Sequence, residues 1–270
     1  MIVDGSEIHG ANLTKIVYGD ELPDPLDCSE AWFEASKVHR ESMGWDNPGV
    51  QVLRNSRELQ VISSRGAKSY DNLPRVDLGP PKRPEMALEQ CLLQRRSADE
   101  FAGEMMVEQL AGLLRFGAGT TDTEGPSHLR TVPSAGALHP SDLYFYARNV
   151  DGLEPGIYYY LPQENRVVLV AGRPTRSVSR NFFNAAGTSD GAVLVLICTS
   201  FWRTRFKYGQ RGMRFALIEA GHLAQNLLLL ASAYRLPARA LGGFVDDEVN
   251  GYTPHQDGVD TAVLYALAIG

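Results

Sequence analysis

The sequence has few of the features that mark secreted, membrane-bound or nucleic-acid-binding proteins. Its three cysteines (Cys28, Cys91 and Cys198) are far apart and form no CxxC pair, which predicts free thiols in a reducing compartment and no metal site. No uninterrupted apolar run reaches the ~18 residues of a membrane span, and the N-terminus lacks the basic and apolar regions of a signal peptide. The net charge of −6 gives no electrostatic reason to expect nucleic acid or an anionic membrane as a partner. We therefore expect a cytoplasmic globular protein.

The longest apolar-periodic segment predicts a helix from about Met213 to Tyr234. Its apolar residues recur at three- and four-residue steps, but they cover more than one face of the helix. A helix that is apolar nearly all round is buried in a large core or against a partner chain. Pro237 ends the helix, and a short strand is predicted before the next glycine pair.

Composition divides the 270 residues into three parts. Residues 1–28 are rich in turn formers and predict a loosely packed arm. Residues 29–83 predict an N-terminal extension that is partly helical, over 29–43, and then extended, because four prolines within 74–84 cannot sustain a helix or a central strand. Residues 84–270 form the main domain.

Helices and strands are mixed without strict alternation in the main domain, which indicates the α+β fold class. The continuous apolar run over 192–202 predicts a buried central strand. Further strands are predicted over 142–150, 157–161, 166–172 and 261–270, and helices over 85–94, 107–116 and 175–186.

Two short motifs in this domain contain groups that suit a ligand. Arg95, Arg96 and Ser97 offer forked cationic donors and a hydroxyl, which suit a phosphate; alternatively, the arginines only complement the negative end of a helix. In the segment 133–136 (PSAG), small residues let the backbone approach a flat ligand, with Ser134 as a polar contact.

Lys207 and Tyr208 stand directly before the long helix. A lysine can act as a general base once its surroundings favour the neutral amine, and a tyrosine can hold a substrate or relay a proton. Alternatively, Lys207 only flanks a helix start and Tyr208 packs, but a cation there opposes the helix dipole, which favours catalysis. Among the histidines, His39 fits a surface or packing role, and His139 fits either a ligand contact or a structural role beside Pro140.

The order of four pieces, RRSxxxF, PSAGALHP, KYGQRGMRFALIEAGHLAQNL and LGGF, resembles the SagB/McbC-type FMN-dependent dehydrogenases, a branch of the nitroreductase superfamily. The resemblance covers roughly residues 29–270. It implies a nitroreductase-like three-layer α+β fold with a mixed or antiparallel central sheet flanked by helices. It also implies an intertwined homodimer, with FMN at the interface and the long helix buried between the protomers.

The resemblance further implies which residues form the site. Lys207 would be the catalytic base and Tyr208 would hold the substrate or relay the proton. The implied FMN contacts are Arg95, Arg96 and Ser97 at the phosphate and ribityl chain, Pro133, Ser134, Ala135 and Gly136 along the ring, and Gly242 and Gly243 near flavin N5.

One position departs from the family pattern. Asp99 stands where the family usually has arginine, in the motif RRSxRxF. The role of a cation that faces the flavin N1/O2 edge or the ribityl chain must therefore fall to another residue or be weaker. Arg239 is a candidate for the second phosphate cation.

Members of this branch oxidise azolines, the thiazoline and oxazoline rings made from Cys, Ser or Thr in peptides, to thiazoles and oxazoles. The resemblance implies the same reaction here, with dioxygen as the final electron acceptor, a peptide or carrier-bound substrate, and cyclodehydratase or synthetase partner proteins. Two alternatives are an NAD(P)H-dependent nitroreductase or flavin reductase, and a catalytically idle scaffold subunit of a synthetase complex.

Overall fold

A seven-stranded antiparallel sheet forms the centre of the computed structural model, which describes residues 28–40, 48–64, 68–122, 128–174, 178–183 and 191–270. The sheet order is β1-β6-β5-β3-β7-β9-β8, and β2 and β4 form a separate parallel pair. The strands are β1 Arg75–Val76, β2 Met105–Met106, β3 Ser141–Ala147, β4 Val150–Asp151, β5 Gly156–Leu161, β6 Arg166–Ala171, β7 Val193–Ser200, β8 Ala238–Leu241 and β9 Thr261–Ile269. The predicted α+β class with a central antiparallel sheet is confirmed.

Eight α-helices accompany the sheet in the described part of the chain. They are α1 Cys28–Ala35, α2 Pro48–Asn55, α3 Arg57–Ser64, α4 Leu88–Gln94, α5 Val107–Ala118, α6 Trp202–Tyr208, α7 Arg211–Ala233 and α8 Asp246–Asn250. Two 3-10 turns, Ala135–Ala137 and Val178–Asn181, lie in the connections.

The central strands β3 and β7 are buried along their whole length. Their side chains alternate between two apolar clusters, with Leu143 and Phe145 on one face of the sheet and Tyr144 and Tyr146 on the other. A strand buried on both faces has the continuous apolar sequence of β7. The predicted central strand is therefore confirmed.

Helical segments cover both faces of the sheet. Leu110 and Leu114 of α5 and Leu223 and Leu227 of α7 belong to the cluster on one face. Val249 of α8 belongs to the cluster on the opposite face, together with the 3-10 turn at 178–181 and residues such as Tyr70 that precede β1.

The long helix α7 is buried on one face only. Ala216, Ala220 and Leu227 are enclosed, whereas Leu217 and Ile218 expose 43% and 52% of their surface. The predicted all-round burial is therefore not reached within one chain. By length and composition alone α7 could cross a membrane, a property that the core helices of soluble proteins share.

The N-terminal extension packs on the start of α7 and on α6. Arg214 donates to the Ser36 hydroxyl at 2.7 Å and to the Phe33 carbonyl at 2.6 Å, which ties α1 to α7. At the start of α2, a methyl group added at Gly49 would lie 2.7 Å from the Lys207 Cα, so only glycine permits this close approach to α6.

The predicted extended connector over 44–83 is wrong for residues 48–64, which form α2 and α3. Prolines fall only at the first residue of α2 and after α3, where a helix tolerates them or has ended. The predicted arm (1–28) lies outside the described residues except for Cys28, as do parts of the helices predicted over 29–43 and 175–186.

Gly112 tests the packing of α5 against α7. A methyl group there would lie 2.6 Å from the Lys82 carbonyl oxygen and would overlap the Tyr234 hydroxyl, which donates to that oxygen. We expect Gly112→Ala to lower the free energy of unfolding by about 1–3 kcal/mol through overpacking, measured by urea denaturation. The control Gly172→Ala meets open space and should change stability by less than about 0.5 kcal/mol. Equal stability of both variants would contradict this packing.

Candidate functional site

The PSAG segment and the Lys207–Tyr208 pair meet at one point of the structure. A methyl group added at Gly136 would lie 2.5 Å from the Lys207 Nζ and 2.6 Å from the Tyr208 Oη. Gly136 also has a φ of +65°, a conformation that glycine adopts without strain. The structure thus brings an amine and a phenol to a stretch of bare backbone.

Lys207 and Tyr208 lie in the last turn of a separate short helix, α6, which ends at Gly209. The pair still precedes the long helix, as predicted, since α7 begins at Arg211. The dipole argument is wrong, because both residues also end α6 and a cation complements a helix C-terminus. The Lys207 Nζ lies 5.1 Å from the centroid of the Tyr208 ring, whose edge packs on Phe215 of α7.

A buried ion pair fixes α6 against the PSAG segment. Arg203, one helical turn before Lys207, donates to both carboxylate oxygens of Asp142 at 3.2 Å and to the His139 carbonyl oxygen at 3.1 Å. The Tyr159 hydroxyl donates to Asp142 at 3.1 Å. The side chain of His139 is buried, which places it in the interior behind the segment.

Glu219 of α7 lies beneath the same segment and is only 4% exposed. It accepts a hydrogen bond from the Ser141 amide at 3.3 Å and is hydrogen-bonded to the Ser134 hydroxyl. Ser134 in turn accepts from the His139 amide at 2.8 Å. Burial raises the pKa of Glu219, because the charged form loses its hydration.

A cavity of about 20 Å³ separates Glu219 from Arg130, which is roughly the space that one water molecule needs. Within the described residues, Arg130 Nε and Nη2 and Glu219 Oε2 are buried without hydrogen-bond partners. Burial also lowers the pKa of Arg130. The interior below the PSAG segment is therefore polar and incompletely paired.

The RRS motif lines a second, larger pocket of about 670 Å³. Arg95, Ser97 and Arg235 lie in its wall, beside Leu228 and Ser232 of α7. The guanidinium of Arg96 donates to the carbonyl oxygens of Leu93 and Arg95, at 2.9 and 2.8 Å. The cationic donors of this pocket suit a phosphate group.

Gly242 and Gly243 follow β8, the strand that begins beside this pocket, and both are exposed. Methyl groups added to them would meet only Tyr265 at 3.8 Å and Phe183 at 3.5 Å, so their backbone is open on one side. Such backbone suits a flat ligand that approaches closely.

The motifs form two groups at opposite ends of α7. Tyr208 packs on Phe215, in the first turns of α7, whereas the pocket lined by the RRS motif includes Leu228, in its last turns. Thirteen residues at 1.5 Å rise correspond to about 20 Å along the helix axis. One chain therefore does not bring all the predicted site residues together.

Comparison with known proteins assigns the chain to a family. The model of the nitroreductase family matches residues 92–270. The chain belongs to the nitroreductase family.

Two relatives and one solved structure extend this result. MJ1384 of Methanocaldococcus jannaschii, which carries a provisional nitroreductase name, is 32% identical over 63% of this chain and 85% of its own length. The Escherichia coli microcin B17-processing protein McbC is 32% identical over 44% of this chain and 46% of its own length. A chain of the E. coli microcin synthetase McbBCD complex with truncated pro-MccB17 superposes with a TM-score of 0.56 and 20% identity, over 87% of this chain and 97% of that one.

Membership of the nitroreductase family supports an oxidoreductase with a flavoprotein-type fold. The similarity to McbC supports a relation to the SagB/McbC branch, over less than half of the McbC length. The open glycines after β8 and the cationic pocket beside its start fit the two ends of a flavin mononucleotide. Among the described residues, no group of three or more His, Cys, Asp or Glu side chains could hold a metal ion.

Four charged residues of this nitroreductase fold, two buried and two half-buried, are not part of the predicted site: Asp142 and Glu219, and Arg130 and Arg203. Asp142 and Arg203 are separated by 61 positions, so no local pattern connects them. Glu219 is different, because a carboxylate within the otherwise apolar periodic run of α7 was visible in the sequence. A charge at such a position indicates a buried polar contact.

The pH dependence of stability tests the burial of Glu219. Because folding raises its pKa, its favourable contribution is complete below the unfolded-state value of about 4.3 and is lost as pH rises through the folded-state value. Glu219→Gln does not titrate, so we expect its stability relative to wild type to increase with pH above about 4.3. Urea unfolding between pH 4 and 8 measures this, with exposed Glu104→Gln as the control. Parallel profiles for wild type and Glu219→Gln would contradict the assignment.

Proposed function

We propose that this nitroreductase-family chain is an FMN-dependent dehydrogenase that oxidises thiazoline or oxazoline rings of a peptide intermediate to thiazoles or oxazoles. The observation that supports it most is the meeting of the Lys207 amine and the Tyr208 hydroxyl at Gly136. An enzyme that only passes electrons from NAD(P)H to a nitro group or a quinone needs no base at this point. The similarity to McbC, a microcin B17-processing protein, supports the same proposal.

Aromatisation of an azoline removes a hydride and a proton from the ring. FMN, when bound, supplies the hydride acceptor. Lys207 takes the proton at Nζ, and Tyr208 orients the ring or passes the proton on. Arg203 positions both residues through its bonds to Asp142 and the His139 carbonyl. Dioxygen is the proposed final electron acceptor.

We assign the FMN contacts by motif. Arg95, Arg96 and Ser97 bind the phosphate and ribityl chain, and the backbone of 133–136 and of 242–243 lies along the ring. The open backbone at the latter glycines and the cationic pocket support this assignment. Ser134 contributes chiefly its backbone, since its hydroxyl is engaged by Glu219 and the His139 amide.

The separation of the two motif groups supports a homodimer with shared sites. We infer that the exposed face of α7 packs against α7 of a second copy running in the opposite direction. A two-fold axis then brings the pocket of each protomer to the Lys207 cluster of the other. Exposed leucines of α4 (Leu88, Leu92 and Leu93) extend the apolar surface that such a contact would cover.

A second candidate is an NAD(P)H-dependent nitroreductase or flavin reductase. The similarity to MJ1384, which spans 85% of that protein, favours it. The proposed partners, a cyclodehydratase or other synthetase subunits, are specific to the first candidate and are supported by the fold similarity to a chain of the McbBCD complex.

Replacement of Lys207 tests the proposed reaction. We expect Lys207→Ala to lower the rate of thiazoline oxidation by about 10²–10⁴-fold with FMN still bound, because a general base is lost. The measurement is azole formation from a thiazoline peptide, with flavin occupancy fixed by absorbance. The control Lys82→Ala removes an exposed lysine elsewhere and should keep the wild-type rate.

Wild-type turnover by Lys207→Ala at full occupancy would refute the role of Lys207. Robust NAD(P)H consumption with nitroaromatics, and no thiazoline oxidation, would favour the second candidate.

Ile218 tests the proposed dimer. It is half exposed on α7, so a charge there is tolerated in a single chain. We expect Ile218→Glu to shift the protein from dimer to monomer in sedimentation equilibrium and to lower its FMN occupancy, because a charge would be buried at the interface. Val259→Glu, at a position 83% exposed, is the control and should remain dimeric. A monomeric wild type that retains FMN would contradict the shared site.

A further inference from the structure

Arg235 occupies a backbone position that disfavours arginine. It follows the last turn of α7 with a φ of +57°, in the left-handed region. The Arg235 amide donates to the Ser232 carbonyl at 3.0 Å and the Leu236 amide to the Ala231 carbonyl at 2.9 Å, which is the Schellman pattern of helix termination. Glycine is the usual residue at this position, because a side chain there is strained.

The same chain uses glycine where it ends α6. Gly209 has a φ of +54° directly after that helix. Arginine at the end of α7 is therefore less favourable for stability than glycine, the residue that ends α6. Residues kept in strained conformations concentrate at functional sites.

The Arg235 side chain lines the pocket of about 670 Å³ that also contains Arg95, Arg96 and Ser97. Among the described residues, no acidic side chain lines that pocket. In the part of the chain that the structure describes, the guanidinium of Arg235 forms neither an ion pair nor a hydrogen bond. Arg96 is already held by two backbone carbonyls. The pocket thus combines two available guanidinium groups, those of Arg95 and Arg235.

Arg239, the candidate from the sequence, lies on the wrong side of the sheet. Its neighbour in β8, Ala238, belongs to the cluster on the α7 face, and successive strand residues point to opposite faces. Arg239 accordingly forms an ion pair with Asp99 at 2.9 Å. It neutralises the acid that replaces the usual arginine, and it does not line the pocket.

Electrostatics explains why the pocket needs a second cation. A phosphate monoester carries a charge of about −1.5 to −2 at pH 7. The C-terminus of α7 faces the pocket, and the partial negative charge of a helix C-terminus opposes anion binding. A guanidinium on the residue that ends the helix offsets both effects.

We propose that Arg235 is a phosphate-binding residue of the FMN site and that its charge is retained at the expense of backbone strain. The inference rests on the proposed FMN dependence. It predicts opposite effects on folding and on binding when arginine is replaced by glycine. Strain is relieved in the free protein, whereas the phosphate loses one of the cations that line its pocket.

The experiment measures two quantities on purified, flavin-free protein. Flavin fluorescence quenching gives the Kd for FMN and for riboflavin, which lacks the phosphate, and thermal unfolding gives Tm. For Arg235→Gly we expect about a tenfold to hundredfold weaker FMN affinity. Riboflavin affinity should change less than about twofold, and Tm without flavin should rise by about 2–4 °C.

Two further variants sharpen the test. Arg235→Asn also tolerates the left-handed conformation, so it should reproduce the loss of FMN affinity. Arg239→Ala removes an arginine from the same region but from the opposite face of the sheet, and its FMN affinity should equal that of wild type.

Equal ratios of FMN to riboflavin affinity in wild type and Arg235→Gly would overturn the proposal and leave Arg235 as a helix end only. A loss of FMN affinity in Arg239→Ala alone would overturn it in favour of Arg239. A wild-type protein that binds neither flavin would overturn the proposed function as well, so the two failures are distinguishable.

Discussion

The buried pair of Asp142 and Arg203 is the contact on which the candidate site depends. Arg203 lies one helical turn before Lys207. Its guanidinium donates to Asp142, at the start of β3, and to the carbonyl oxygen of His139, which follows the PSAG segment. Burial of two charges is costly unless further hydrogen bonds complete them, and here the Tyr159 hydroxyl contributes one. Removal of Asp142 would leave the half-buried Arg203 without its carboxylate, whereas removal of Arg203 would leave Asp142 with the more distant Lys68 at 3.8 Å. The pair therefore joins the helix that presents the amine to the loop that presents the bare backbone.

The polar interior is concentrated at one end of the sheet. The Glu219 carboxylate, the Arg130 guanidinium and the small cavity between them lie below the PSAG segment, where an apolar core would be more stable. Natural folds break the rules of core composition at functional sites and compensate elsewhere. The compensation here is the packing of the rest of these strands in the two apolar clusters, over 143–147 of β3 and 193–197 of β7. Stability and function thus occupy different ends of the same two strands.

Local patterns predicted the elements whose burial is continuous, and they failed where partners are distant in sequence. The apolar run of β7, the periodicity of α7 and the glycine pair after β8 needed no tertiary information. The pairing of Asp142 with Arg203 could not be predicted, because side-chain contacts across 61 positions leave no spacing signal. The separate helix α6 was missed although Gly209 directly after Tyr208 is a helix-ending residue. Helices α2 and α3 were missed because the prolines within 74–84 predict extended structure only around themselves, whereas the prediction covered the whole segment before them.

The length of α7 determines how the candidate site can be assembled. A helix of 23 residues is rigid on the scale of a cofactor, so its two ends cannot approach each other within one chain. In the proposed function, the residues just before its start take a proton, and those at its end bind the phosphate of FMN. The apolar residues between them on the outer face, Leu217 and Ile218, remain partly exposed, and Gly221 leaves open space beside them. A small residue on an apolar helix face permits close approach of a second helix. The opposite face of α7 packs on α5 and the sheet, as a core helix does, which accounts for part of its high hydropathy. In the proposed homodimer, antiparallel pairing of two such helices would unite the proton acceptor of one copy with the anion pocket of the other.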